Sequence, residues 1–251
     1  MAIKTIKRNR KKSNILQTFF FLILIGVIAF IFLHLQMFNI TDINVADNNM
    51  TDEEEIIETS GIVIGNNIFR ENLNDAAENI KKIPFIDDVS IDRKLPSTII
   101  INIKERAAVL SVLDVDSASY IFDADGILLN KSYVYADYGI PVLTGFNVPD
   151  GLEAGAKCSS KELTSIIEIM NQTPDIYKDY IDEIVYTKDG QVVLYTTTGI
   201  GGWKIRFGDL SDIDEKIDAL NGMWEQLLQK KDTLEYFDIS YYKSPVIKYK
   251  S

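Results

Sequence analysis

Two carboxylates, Asp123 and Asp125, stand two positions apart ahead of Gly126 and are the residues most suited to chemistry in this sequence. Such a pair can divide acid and base roles or ligate calcium. A calcium loop needs acidic residues at alternate positions, Gly at the sixth and Glu at the twelfth. Counted from Asp123, Gly126 is fourth and Val134 twelfth, which excludes that loop. Two aspartates between the apolar runs Tyr120-Ile121-Phe122 and Ile127-Leu128-Leu129 read instead as turn formers. Cys158 is the only cysteine, so an internal disulfide is impossible, and no His stands beside it to activate the thiol. His34 is the only histidine, which excludes any mechanism that needs two imidazoles. No nucleophile elbow or zinc-ligand spacing occurs. Gly199-Ile200-Gly201-Gly202 lacks the Lys-Ser/Thr of a phosphate loop and reads as a flexible turn between strands. No cofactor and no metal site is expected.

Other polar clusters have structural explanations. Asp52-Glu53-Glu54-Glu55 complements a helix dipole if it forms a first turn, although it could also meet a partner. Trp224 falls on an apolar helix stripe and is expected in the core. Arg93, Glu105 and Arg106 could be structural ion pairs or part of a docking surface, and the sequence leaves both open.

Charge is distributed unevenly. Lys4, Lys7, Arg8, Arg10, Lys11 and Lys12 crowd the start, whereas all 37 acidic residues lie from Asp42 onward against the remaining 20 of the 26 basic ones. A folded part of that sign excludes a nucleic-acid binder. Ser13 to Thr41 contains no Asp, Glu, Lys or Arg, and Ile15 to Leu35 is mostly Phe, Leu and Ile. A bilayer core takes roughly 20 apolar residues in a helix. The run continues through His34-Leu35-Gln36-Met37-Phe38 with no small-x-small cleavage site, so an uncleaved anchor is expected rather than a signal peptide. The basic residues hold the N-terminus in the cytoplasm and place the bulk of the chain outside the cell membrane as a single-pass protein. His34 then lies at the interface.

The elements after the anchor read strand, helix, helix, strand, strand. Ile40, Ile43 and Val45 lead to the turn Asp47-Asn48-Asn49, and Thr51 with Glu54 forms a capping box for a helix ending before Gly61. Leu73, Ala76, Ala77 and Ile80 share a helical face that Pro84 terminates. Val89 and Ile91 alternate towards Arg93, and Ile99, Ile101 and Ile103 occupy one face of a following strand. From about residue 107 strands and turns dominate. Ser160 opens a helix bearing Leu163, Ile166, Ile167 and Met170. Asp189-Gly190 closes a hairpin between residues 184–186 and 192–198. Ser211 caps a helix bearing Ile213, Ile217, Leu220, Trp224, Leu227 and Leu228, and Tyr236 to Tyr242 forms a final strand before a basic tail. The fold class is α+β: a transmembrane helix, a small β-α-α-β-β domain, then a mixed α/β domain with a mainly antiparallel sheet.

Phe38-Asn39-Ile40-Thr41-Asp42-Ile43-Asn44-Val45 resembles the first strand of the POTRA domain in FtsQ/DivIB cell-division proteins. Gly65-Asn66-Asn67-Ile68-Phe69 resembles that family's signature between two helices, and Arg93-Lys94-Leu95-Pro96 through Glu105-Arg106 its Arg-x-x-Pro element and last strand. Phe122-Asp123-Ala124-Asp125-Gly126, Ile205-Arg206-Phe207-Gly208 and Tyr236-Phe237-Asp238-Ile239-Ser240 resemble landmarks of the β domain. Two departures are Ala108, where the family often has Pro, and Asp47, where Gly is common. The resemblance implies a basic cytoplasmic tail over 1–14, an anchor over 15–37, a POTRA domain over 38–106, a β domain over 107–245 and a C-terminal tail over 246–251.

The resemblance further implies a non-enzymatic septal scaffold that links early and late division proteins and helps control septal peptidoglycan synthesis. Its implied partners are FtsB/DivIC-like and FtsL-like bitopic coiled-coil proteins, extending to the septal peptidoglycan synthase, and its implied location is the division septum. In the resemblance the small coiled-coil partner docks in the last strand, which makes Tyr236, Asp238, Ser240, Tyr241 and Tyr242 the candidate partner-binding residues. A terminal strand is expected at a sheet edge, where it can accept another strand. Strand alternation places Phe237, Ile239 and Tyr241 on the more apolar face. The alternative function is a membrane-anchored extracytoplasmic cell-wall hydrolase acting through Asp123 and Asp125. An outer-membrane or secretion POTRA protein would need a barrel or tandem repeats, and neither pattern is present.

Overall fold

The computed structural model describes residues 11–32, 34–133 and 138–250. The basic residues Lys4, Lys7, Arg8 and Arg10, and Val134, lie outside the described residues. The chain divides into two compact units, one holding the residues up to Lys81 with Asp88–Lys104 and the other Lys82–Asp87 with the residues from Glu105 onward.

The first unit begins with α1, Lys11–Phe32, whose 22 residues span about 33 Å at the helical rise. Its segment Ile15–Phe32 is long and apolar enough to cross a membrane. Apart from Gln17 and Thr18 its side chains are apolar, and they are exposed all round, as lipid-facing side chains are. A short 3₁₀ turn at Gln36–Phe38 leads to β1, Asp42–Ala46. Asp47 then adopts φ +65°, a left-handed conformation that favours glycine and that Asp tolerates through its short polar side chain.

Helix α2, Glu53–Ser60, is capped by Asp52 and not by Thr51. The Asp52 carboxylate accepts the Glu54 N–H at 2.8 Å, so the cap falls one residue later than the Thr51 capping box. Gly61 closes α2 at φ +69°. Helix α3, Leu73–Ile80, is capped by Asn72. Strands β2, Ile86–Lys94, and β3, Thr98–Glu105, complete a sheet of order β1-β3-β2 in which β1 runs parallel to β3. Ile99, Ile101 and Ile103 are buried, as their alternation requires. Arg93 donates Nε–H to the Ile68 carbonyl and Nη2–H to the Glu71 carbonyl, each at 2.8 Å, and so ties β2 to the loop before α3.

The second unit is one nine-stranded sheet with helices on a single face. Its strands are β4 (Ala108–Leu113), β5 (Ser119–Asp123), β6 (Leu128–Ser132), β7 (Val142–Thr144), β8 (Ile181–Tyr186), β9 (Val192–Thr196), β10 (Lys204–Gly208), β11 (Leu234–Asp238) and β12 (Val246–Tyr249). They are ordered β12-β11-β10-β9-β8-β7-β4-β5-β6. The helices are α4 (Lys161–Gln172), α5 (Asp175–Lys178) and α6 (Ile213–Gln229). Hairpins supply most antiparallel pairs, while β7 pairs parallel to β4 and β8, and β10 parallel to β11.

The register aligns one apolar row across the sheet: Leu143, Ile184, Leu194, Ile205, Phe237 and Ile247 face one another in turn. Helices α4 and α6 cover this row with Ile166, Met170, Leu220 and Trp224. Trp224 is fully buried, stacks on Tyr177 at 5.0 Å between ring centroids and meets Trp203 at 5.7 Å.

Three sequence expectations need correction here. The final helix is entered through Asp212, at φ +49°, with no side-chain cap; the Ser211 hydroxyl donates to Asp209 Oδ1 at 2.6 Å instead. The strand expected over 236–242 ends at Asp238. Residues 246–249, expected as tail, form β12 and pair antiparallel with β11.

Candidate docking edge

The apolar row has an opposite-face counterpart. Glu183, Tyr195, Lys204, Tyr236 and Lys248 are consecutive partners in register on the face away from α4 and α6. Along this row aromatic rings alternate with charged side chains. Lys204 Nζ lies 5.5 Å from the Tyr195 ring centre, Arg206 Cζ 3.8 Å from that of Tyr236, and Lys248 Nζ 5.6 Å from the same ring. Cations so placed are attracted by the ring quadrupole and hold Tyr236 in one orientation. Lys248 also pairs with Glu235 at 3.0 Å, and Arg206 reaches Asp238 at 3.8 Å. These groups are partly exposed, so their ion pairs contribute little to stability and mainly fix positions.

The edge of this sheet is β12, because β11 is paired on both sides, with β10 and with β12. The expected edge strand is therefore interior, and the unpaired N–H and C=O groups belong to alternate residues of Val246–Tyr249. Among the described residues no strand pairs with its outer side. At the opposite margin β6 is partly covered: Leu128 donates its N–H to the Ala156 carbonyl and its carbonyl accepts the Gly155 N–H.

The five residues read from sequence separate into two places. Tyr236 and Asp238 sit on β11, on the helix-free face. Ser240, Tyr241 and Tyr242 lie in the turn joining β11 to β12. Alternation fails there for a local reason. Asp238 Oδ1 accepts both the Ser240 N–H at 3.0 Å and the Ser240 hydroxyl at 2.6 Å, an Asx-type turn that ends the strand. Phe237 and Ile239 are buried, but Tyr241 is 63% exposed, so it does not complete the core with them. Gly208 packs so closely that an added Cβ there would lie 2.7 Å from Ser240 Cβ, which fixes the root of this turn. Sequence reasoning missed β12 itself. The available signal was Ser244-Pro245, a turn pair, ahead of the β-prone Val246-Ile247-Lys248-Tyr249.

The other candidates have structural roles. Asp123 is buried; its Oδ1 accepts the N–H groups of Asp125 at 2.9 Å and Ile127 at 2.8 Å, and Oδ2 pairs with Arg106 Nη1 at 2.9 Å. Arg106 also lies 3.5 Å from Asp87. Asp123 is thus a turn former held by a guanidinium, and Arg106 is engaged inside the fold. Cys158 is 2% exposed and donates its backbone N–H to Gly126. Gly201 and Gly202, at φ +99° and +59°, turn the chain from β9 to β10. Among the described residues no group of three or more His, Cys, Asp or Glu is placed to hold a metal.

A membrane-length helix carrying a β-α-α-β-β unit and a nine-stranded sheet with one helical face defines an anchored POTRA protein. Residues 38–106 match the model of the POTRA domain, FtsQ-type, and residues 108–247 that of the FtsQ/DivIB C-terminal related region. The chain belongs to the FtsQ/DivIB family of cell division proteins. It is 29% identical to the cell division protein DivIB of Clostridium botulinum strain Hall over 97% of this chain and 94% of that one. It is 32% identical to DivIB of Clostridium acetobutylicum over 88% and 87% of the two chains. Against the cell division protein FtsQ of Geotalea daltonii it is 29% identical over 84% and 76%.

Proposed function

We propose that this chain is a non-enzymatic, membrane-tethered scaffold of the division machinery that captures a partner segment as an added strand along β12. The observation that carries this reading is the open outer edge of Val246–Tyr249 beside a helix-free face of clamped tyrosines. An extended segment adding to such an edge gains main-chain hydrogen bonds, and side chains at alternate positions give specificity. The partners are FtsB/DivIC-like and FtsL-like bitopic coiled-coil proteins, through which the scaffold acts on the septal peptidoglycan synthase. The basic start of the chain keeps the N-terminus cytoplasmic and delivers both units to the outer side of the membrane at the septum.

Hydrogen exchange on the full chain, with and without the extracytoplasmic segment of an FtsB/DivIC-like partner, tests this reading. Protection gained at alternate amides of 246–249 is the expected result. Protection confined to residues 42–105, with β12 unchanged, would rule the edge out as the docking site.

A further inference from the structure

The distal end of α1 is bonded into the first unit. Phe32 stacks on Phe38 with ring centroids 4.8 Å apart and meets Phe69 edge-on at 5.9 Å. Asn67, itself buried, donates an Nδ2–H to the Phe32 carbonyl at 3.1 Å and so satisfies one of the acceptors that a helix end leaves open. A helix that crosses a bilayer brings its last turn to the headgroup layer. Residues bonded to that turn lie at the same level.

At this level the first unit has a cavity of about 510 Å³, within the range of small-ligand sites, lined chiefly by His34, Asn39, Asn66, Asn67, Arg70 and Glu71. Two opposite charges line it without pairing. Arg70 Nη2 is 3.3 Å from His34 Nε2, and among the described residues no carboxylate lies within ion-pair distance of Arg70. His34 Nδ1 is 2.8 Å from the Phe30 carbonyl and its ring stacks on Phe30 at 4.1 Å. With Nδ1–H donating to that carbonyl, Nε2 is left as the acceptor that orients Arg70 without neutralising it. The Glu71 carboxylate accepts one hydrogen bond, from Asn66 Nδ2 at 2.8 Å, and keeps acceptor capacity. Leu35, Met37, Val63 and Ile64 nearby in the chain are exposed apolar side chains at 41%, 59%, 53% and 61%.

We propose that this cavity binds the headgroup of a zwitterionic aminophospholipid, with Arg70 on the phosphate and Glu71 on the primary ammonium. A guanidinium donates well to phosphate oxygens, and a carboxylate accepts from an ammonium that has three N–H donors. A purely anionic headgroup leaves Glu71 opposed, and a trimethylated one offers it no donor. The exposed apolar side chains rest among the acyl chains, which favours the lipid over its free headgroup. The proposal rests on α1 crossing the membrane. Sedimentation of the wild-type chain with alkali-washed membranes tests that span separately from the cavity.

Native mass spectrometry of the full chain in mild detergent, with acyl-matched phosphatidylethanolamine, phosphatidylcholine and phosphatidylglycerol, tests the site. Wild type should retain phosphatidylethanolamine about tenfold more tightly than the other two. Arg70→Gln should lose about tenfold of that affinity. Glu71→Gln should bind phosphatidylethanolamine and phosphatidylcholine alike. Unchanged thermal midpoints check that both variants stay folded. Full retention by Arg70→Gln, equal binding of phosphatidylglycerol by wild type, or equally tight binding of water-soluble phosphoethanolamine would overturn the proposal.

Discussion

Tyr241 is the residue at which the proposed docking reading meets its sharpest test. A large ring 63% exposed beside an open strand edge gains from desolvation only when something covers it. Changing Tyr241 to Ala should weaken partner capture by about 2 kcal/mol, roughly thirtyfold, while the thermal midpoint stays put. Titration of an FtsB/DivIC-like segment against wild type and variant reads both quantities. An unchanged affinity would remove Tyr241 from the site. At this scale the sequence was partly legible. Asp123 could be read as a turn former because its bonds reach only two and four residues along the chain. The partner of Arg106 could not, since Asp123 is 17 positions away and meets it only through the folded sheet. Alternation puts Tyr241 on the Phe237 face only if the strand runs past Asp238, whose side chain ends it.

At the scale of elements, α6 depends on an unusual entry. Lys216, 1% exposed, donates from Nζ to both the Asp209 carbonyl and Asp209 Oδ1 at 2.8 Å, and lies over the Phe207 ring at 5.3 Å. The Lys216 ammonium, and after it the Ser211 hydroxyl and amide, hold the Asp209 carboxyl down to about 2 from its ordinary 3.8. The folded value lies below the unfolded one. The stabilisation is therefore full above about pH 4 and is lost as pH falls through about 2. Asp209 is largely exposed, so solvent screens much of the effect. Asp209→Ala should cost about 2 kcal/mol at neutral pH, chiefly by leaving a buried ammonium with one acceptor. Adding Lys216→Met should recover most of that loss, because a buried pair can be replaced by packing. Denaturant midpoints of the single and double variants decide it. A double variant no more stable than the single one would mean the loss comes from the loop and not the stranded charge. Elements closed by local turns, such as β8 and β9 around Asp189-Gly190, were readable from their residues. The short strand β12 was hidden because four residues after a proline carry little periodicity, and its partner β11 alone makes it a strand.

For the whole molecule, a single apolar helix followed by an acidic, sheet-rich part was plain from the uneven charge and the uncharged run. The order of nine strands was not, because β4, β7, β8, β10 and β11 meet through parallel pairings between distant segments. The anchor's residues 15–29 face outward on every side, so their identity should matter less than their length. Replacing 15–29 with an unrelated apolar span, keeping Phe30 onward, should preserve most division function in complementation. Loss of function in a chain that still sediments with membranes would give the span a specific role.

The pairing of β1 with β3 has a consequence for how the first unit is made. Asp42 opposes Thr98, so the strand nearest the anchor has no neighbour until a segment 56 positions later arrives. β2 cannot substitute, since it lies on the other side of β3. In the proposed topology residues 47–97 cross the bilayer before β3 does, and until then β1 lacks its strand partner. In that reading the arrival of β3, more than any local preference for structure, limits when the sheet of the first unit can form.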